Sequence, residues 1–181
     1  EVEEEALVIV DAYASSITTV TVEMSTDVPD DAVITLKKGT ASYSVAEDVD
    51  GSTITLTALF TLPAGTYTVT VDGSSAEFEV MSQYAVDLVI EADSIYLDDD
   101  QNVGVAMLDQ YGMEMSLSGT NYSVFNQNDG FVYEPDVDED IVIDVEDDGD
   151  AEAGDVIFVF VYDPVSMLTV SGELPVIAAP Y

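Results

Sequence analysis

Hydrophobic and polar residues alternate with period two along most of this chain. Thr18-Thr19-Val20-Thr21-Val22-Glu23-Met24, Ser52-Thr53-Ile54-Thr55-Leu56-Thr57 and Thr66-Tyr67-Thr68-Val69-Thr70-Val71 each set apolar residues on one side of a pleat and threonine on the other. That pattern, rich in β-branched residues, fits half-buried strands. No segment sustains a 3.6-residue period between capping residues, so the pattern predicts an all-β chain. Turn residues punctuate the runs at Pro29-Asp30-Asp31, Gly39, Asp50-Gly51, Pro63-Ala64-Gly65 and Asp72-Gly73, and the last two bracket a strand that opens a hairpin.

About seven strands fit into residues 6–80, the size and rhythm of an immunoglobulin-like β-sandwich, without the Cys and Trp of antibody domains. A second series starts near Tyr84-Ala85-Val86-Asp87-Leu88-Val89-Ile90, with candidates at 102–109, 120–125, 130–133, 141–145, 156–162 and 167–176. The boundary falls near Met81-Ser82-Gln83 and has no long flexible linker. We therefore expect two tandem immunoglobulin-like β-sandwich domains, residues 1–81 and 82–181, joined stiffly.

Charge narrows the chemistry. The 181 residues include 38 Asp and Glu against two lysines, Lys37 and Lys38, with no His and no Cys, for a formal net charge of −36. Such a chain repels phosphate backbones, so nucleic acid is excluded as a partner. It offers no imidazole base, no thiolate and no ordinary zinc, copper or haem ligand set. What remains is hard oxygen chemistry, suited to calcium or magnesium. With 48% hydrophobic residues the chain can bury a core despite its acidity. No stretch is apolar enough for a membrane span, and the acidic start is unlike a signal peptide; a mature product and a fragment of something longer both remain open. The acid excess itself has two explanations, cation binding and adaptation to high salt, where the Debye length shrinks to about 3 Å at 1 M.

Several segments resemble the Ig-like repeat modules of prokaryotic S-layer and cell-wall surface proteins. Ala32-Val33-Ile34-Thr35-Leu36-Lys37-Lys38-Gly39-Thr40 followed by Leu62-Pro63-Ala64-Gly65-Thr66-Tyr67-Thr68-Val69-Thr70-Val71 is similar to a strand pair of such repeats. Met107-Leu108-Asp109-Gln110-Tyr111-Gly112 resembles their DQYG turn. Ala153-Gly154-Asp155-Val156-Ile157 leading to Tyr162-Asp163-Pro164 and Leu168-Thr169-Val170 resembles their closing strands. The resemblance implies a non-enzymatic, extracellular surface protein whose modules stack into arrays, filaments or stalks, often with calcium. The chain departs from it in having few lysines and no wall-anchoring motif.

The acid is concentrated: residues 1–81 hold 15 Asp and Glu, residues 82–181 hold 23, and 12 of these lie between 134 and 155. Within that stretch, 144–155 approximates the calcium-loop pattern D-x-[DN]-x-[DN]-G-x5-E. The candidate metal ligands are Asp144, Glu146, Asp148, Asp150, Glu152 and Asp155, with Gly149 at the sharp turn. Glu at the third position and Asp at the twelfth depart from the pattern, and the flanks 141–143 and 156–160 read as strands, so the loop would join strands rather than helices. Asp136-Val137-Asp138-Glu139-Asp140 and Asp98-Asp99-Asp100 are further oxygen clusters, read as solvated charge runs, the alternative being a cation held between strand ends with backbone carbonyls completing its shell.

Other features carry less. Carboxylate pairs suited to glycoside hydrolysis are unavoidable among so many acids, but sandwich modules offer little cleft, and no enzyme activity is expected. Lys37 and Lys38 read as exposed residues rather than partners in an intramolecular amide bond. Asn121-Tyr122-Ser123 is a sequon, Asn126-Gln127-Asn128-Asp129-Gly130 a turn, and Tyr67, Phe78, Phe158 and Phe160 read as core. The apolar Ala6-Leu7-Val8-Ile9-Val10 is expected to pair within its own module, strand donation to a neighbour being the alternative. The expected function is a calcium-modulated structural protein of the prokaryotic cell surface whose partners are copies of itself. The alternative is an adhesin or carbohydrate-binding module that recognises a cell-surface glycan.

Overall fold

The computed structural model describes residues 6–137, 140–146 and 151–180. It is all-β, in two compact units, Glu1–Gln83 and Tyr84–Tyr181.

Among its described residues the first unit contains eight strands: β1 (Ile9–Ala14), β2 (Thr19–Met24), β3 (Ile34–Lys38), β4 (Ala41–Tyr43), β5 (Val45–Asp50), β6 (Thr53–Ala58), β7 (Gly65–Val71) and β8 (Ser74–Val80). They form two sheets, ordered β1-β2-β6-β5 and β4-β3-β7-β8. This is the immunoglobulin order, A-B-E-D in one sheet and C-F-G with an added C′ in the other. The alternation legible in the sequence sorts the faces as expected. Val20, Val22, Ile54, Leu56, Val69 and Val71 are fully buried between the sheets. The intervening threonines face out in cross-strand register, Thr21 against Thr55 and Thr35 against Thr70.

Tyr67 fixes the corner that leads into β7. Its ring is fully buried, its hydroxyl donates to the Pro63 carbonyl at 2.9 Å, and it packs against Tyr43 and Phe78 with centroids 5.3 and 5.9 Å away. A tyrosine near the start of strand F that bonds backbone a few residues upstream is the tyrosine corner of immunoglobulin-like sandwiches. Burial, and then the Tyr43 hydroxyl, push its phenol well above the usual tyrosine range. Lys38 is not simply exposed. Its ammonium donates to the carbonyls of Pro63, at 3.3 Å, and Ala64, at 2.5 Å, and lies 5.7 Å from the Tyr67 ring centre. The β7–β8 hairpin turns on Asp72 and Gly73, both at positive φ, and Asp72 Oδ1 accepts from Val33 N at 2.8 Å. β1 pairs with β2 in the same unit, so the apolar N-terminal run leads into a strand of its own module.

The second unit repeats the plan, with several of its strands broken into short segments. β9 (Ala85–Ile90), β12 (Val105–Asp109) and β13 (Glu114–Met115) form one ladder, and β11 (Gln101–Asn102), β17 (Ile141–Ile143) and β16 (Asp136–Val137) another. The opposing sheet is ordered β10 (Ile95–Leu97), β19 (Thr169–Ala178), β18 (Val156–Tyr162), β14 (Asn121–Asn126) and β15 (Val132–Tyr133). β11 and β12 act as one broken strand B, split at Val103-Gly104. A Cβ on Gly104 would lie 2.7 Å from the Ala92 Cβ and 2.9 Å from its nitrogen, and φ there is +65°, so the break is a close backbone approach open only to glycine. The DQYG turn follows β12: the fully buried Asp109 carboxylate accepts from Tyr111 N at 2.8 Å and Met113 N at 2.9 Å.

One expectation about the core is overturned. In β18 it is Ile157, Val159 and Val161 that are fully buried, and Phe158 and Phe160 point the other way, outside the core. β18 lies antiparallel to β14 and β19, with Val159 opposite Val124 and Ile157 opposite Leu174, and these partners are themselves in the core. A strand's alternation then obliges the phenylalanines to face out.

Candidate cation site

Strand pairing assembles the sharpest acidic group. β11 runs antiparallel to β17, with Gln101 opposite Ile143 and Asn102 opposite Val142. Continuing that register three residues outward brings Asp98 opposite Glu146. Val145 N bonds the Asp98 carbonyl at 3.3 Å, so the pairing direction persists beyond the strands. The intervening turn is self-braced: Asp98 Oδ1 accepts from Asp99 N at 3.0 Å, Gln101 Nε2 donates to the Asp99 carbonyl at 2.7 Å, and Asp100 takes a positive φ. As a result one carboxylate oxygen from each of Asp98, Asp99 and Glu146 lies within 4.8 Å of the others, and all three side chains are exposed. Three carboxylates supply up to six hard oxygens, which fits calcium, whose shell of six to eight ligands tolerates irregular geometry and is completed by water. Magnesium demands near-octahedral placement and keeps more of its own waters, so it suits this group less well.

The ligands predicted from the 144–155 pattern are distributed differently. Among the described residues of the predicted set, Glu146 alone belongs to this group. Asp144 follows β17 and is half-buried. Asp148 and Asp150, like Asp138 and Glu139, lie outside the described residues. Glu152 is exposed. Asp155 Oδ2 accepts from Glu152 N at 3.1 Å and from Asn126 Nδ2 at 2.9 Å, which ties the approach to β18 to the turn after β14. Asn126 is fully buried, and its Oδ1 accepts from Asn128 N at 2.9 Å, so the 126–130 segment is the turn its composition indicates. Asp98 and Asp99 are visible in the sequence as an acidic run, but nothing local joins them to Glu146. Among the described residues, an open cavity of about 320 Å³ against Glu114, Met115, Ser116 and Asp140 is lined by none of the predicted ligands.

A second carboxylate has a purely local task. Asp163, buried between β18 and β19, accepts from the Ser166 hydroxyl and from the backbone of Val165 at 3.2 Å and Ser166 at 2.9 Å. The Ser166 hydroxyl lowers its pKa below the ordinary carboxylate value; desolvation opposes the shift and the two backbone bonds reinforce it.

No family model matches the chain, and no curated protein matches its sequence. Among solved structures, a titin I9–I11 tandem is similar over 96% of this chain and 66% of that one, with a TM-score of 0.33 and 10% identity. The titin Z1Z2 domains in complex with telethonin are similar over 98% of this chain and 96% of that one, with a TM-score of 0.31 and 13% identity. Drosophila N-cadherin EC1–3 is similar over 99% of this chain and 69% of that one, with a TM-score of 0.33 and 13% identity. The fold is assigned on the strand order and the tyrosine corner.

Proposed function

We propose that this chain is a non-enzymatic structural component of a prokaryotic cell surface, whose two sandwich modules stack or self-assemble in an S-layer or extracellular filament under the control of calcium. The observation that supports a calcium role most directly is the meeting of Asp98, Asp99 and Glu146 within 4.8 Å on a chain of net charge −36. Three like charges so close repel one another, and a divalent cation supplies the missing counter-charge. It ties the β10–β11 turn to the segment after β17 and stiffens that end of the second module. Across a population of molecules, the same ion lowers the mutual repulsion of acidic faces, so that copies can approach.

The test is a calcium titration of the whole chain at fixed ionic strength, with magnesium and sodium controls, followed by calorimetry, light scattering and negative-stain microscopy. Calcium-specific growth into sheets or fibres, reversed by chelator, is the expected result. At a hundred times the dissociation constant, calcium should stabilise the second module by about 2.7 kcal/mol. Asp98→Asn with Glu146→Gln should weaken binding about tenfold or more. A wild-type chain that stays monomeric, with an unchanged melting profile, would overturn the calcium reading.

A further inference from the structure

The two modules differ sharply on the outer face of one sheet. On β7 of the first module the outward positions are Thr66, Thr68 and Thr70; on the corresponding strand of the second, β18, they are Phe158, Phe160 and Tyr162. The fold therefore does not require aromatics there. Cross-strand neighbours extend the apolar surface: Phe125 stands opposite Phe158, its ring 5.1 Å away, and Val132 stands opposite Phe125. On the other side Ile177 of β19 stands opposite Tyr96 of β10, and both are exposed. Phe160 is 37% exposed and Val132 62%. The remaining outward positions on β14 and β19 are mostly neutral, Asn121, Ser123, Thr169 and Ser171. The carboxylate among them is Glu173, whose Oε1 accepts from Gln127 at 3.0 Å.

We infer that this aromatic face of β10-β19-β18-β14-β15 is a self-association surface, whose occupant is the same face of a second copy of this chain. Charge sets where two copies can meet. Two molecules each carrying −36 repel at almost any approach, and this largely neutral face is a place where they can meet without opposing rows of carboxylates. A two-fold axis in the plane of the contact through Phe160 would set aromatic against aromatic, with Glu173, which stands beside Phe158 within the face, held by its hydrogen bond from Gln127. Area sets the strength. Roughly fourteen outward positions at about 33 Å² each, from the strand spacing and two-residue repeat, give about 450 Å² per copy. The total of about 900 Å² falls below the usual range for stable complexes, so the contact is weak alone and persists when repeated in an array. This deepens the self-assembly reading by naming the contact, and it does not depend on calcium.

Sedimentation equilibrium of the whole chain in chelator, at 0.15 M and 2 M sodium chloride, tests it. Wild type should dimerise at high salt, where repulsion is screened, at concentrations of about 0.1–1 mM. The double variant Phe158→Thr/Phe160→Thr, which imports the residues of the first module, should weaken dimerisation about tenfold or more while keeping the wild-type circular dichroism and melting profile. Thr68→Asp, on the first module, should leave it unchanged. A wild-type chain monomeric at 1 mM in 2 M salt, or an equally dimeric double variant, would overturn the inference. So would a monomeric wild type that binds a neutral oligosaccharide only when the phenylalanines are present. If calcium still drives the double variant into wild-type arrays, the face is wrong and the self-assembly reading stands. Dimers that depend on the face, without any calcium-driven assembly, would establish the face and sink the calcium-controlled array.

Discussion

Tyr67→Phe removes one oxygen from a fully buried ring and leaves the ring itself in place, which isolates the tyrosine corner from core packing. The hydroxyl donates to Pro63 O at 2.9 Å, and losing a hydrogen bond of this kind costs about 0.5–1.5 kcal/mol. The upper part of the usual penalty range does not apply, because Pro63 is exposed and its carbonyl keeps the Lys38 ammonium at 3.3 Å, so the acceptor is not orphaned. We expect a loss of about 1 kcal/mol, and for a unit of this size a fall of about 4–8 °C in the melting temperature of the first module alone. Alkaline pH supplies an independent readout. Folding raises the Tyr67 pKa, so below about pH 10 both states keep the proton and the shift has no effect on stability. Above that, the unfolded chain releases a proton that the folded chain retains. Stability therefore falls as pH rises, by at most about 1.4 kcal/mol per pH unit from this group. Urea unfolding at pH 7 and pH 11 should show the phenylalanine variant less stable than wild type at pH 7 and less sensitive to the rise in pH. Equal stability at pH 7, or equal alkaline slopes, would refute the account of the corner.

Two further substitutions report on the second module. Gly104→Ala forces a side chain into a left-handed position 2.7 Å from the Ala92 Cβ and should destabilise this module by about 1–3 kcal/mol, read as a shift of its melting transition alone. Asp163→Asn should destabilise by about 1–2 kcal/mol at neutral pH and flatten the acid limb of the stability profile. Folding lowers the Asp163 pKa, so its contribution is present above the unfolded carboxylate range near 3.9 and lost as pH falls through the folded value; acid titrations of both chains by circular dichroism check the sign.

Strand periodicity was informative wherever the two faces differ in polarity. In β2, β6 and β7, threonine alternates with valine, isoleucine, leucine or tyrosine, and the buried face can be read directly. In β18 every residue from Val156 to Tyr162 is apolar, so alternation could not say which set faces the core, and the larger rings were the wrong choice. The core took the slimmer aliphatic set because Val124 and Leu174, on the flanking strands, fix the register. The cation group failed to show for a different reason. Glu146 belongs to an acidic segment that stands out locally, but its neighbours are nearly fifty residues away and arrive through β11, a strand of two residues that no periodicity can reveal. The tyrosine corner stood in the sequence as Pro63-Ala64-Gly65-Thr66-Tyr67, legible as a turn and a strand but not as a hydrogen bond.

The parallel pairing of β10 with β19 also bears on mechanical load. Ile95, Tyr96 and Leu97 lie beside Val176, Ile177 and Ala178, joining an early strand of the second module to its last. Tension that pulls Ile95 backward along β10 and Ala178 forward along β19 slides the two strands lengthwise past each other. The hydrogen bonds between them must then stretch together, whereas an antiparallel hairpin pulled from its open end gives way one bond at a time. Such a seam lets a module bear force without disulfides, and rupture under load would be governed by the barrier to shearing these few residues rather than by the free energy of the whole sandwich.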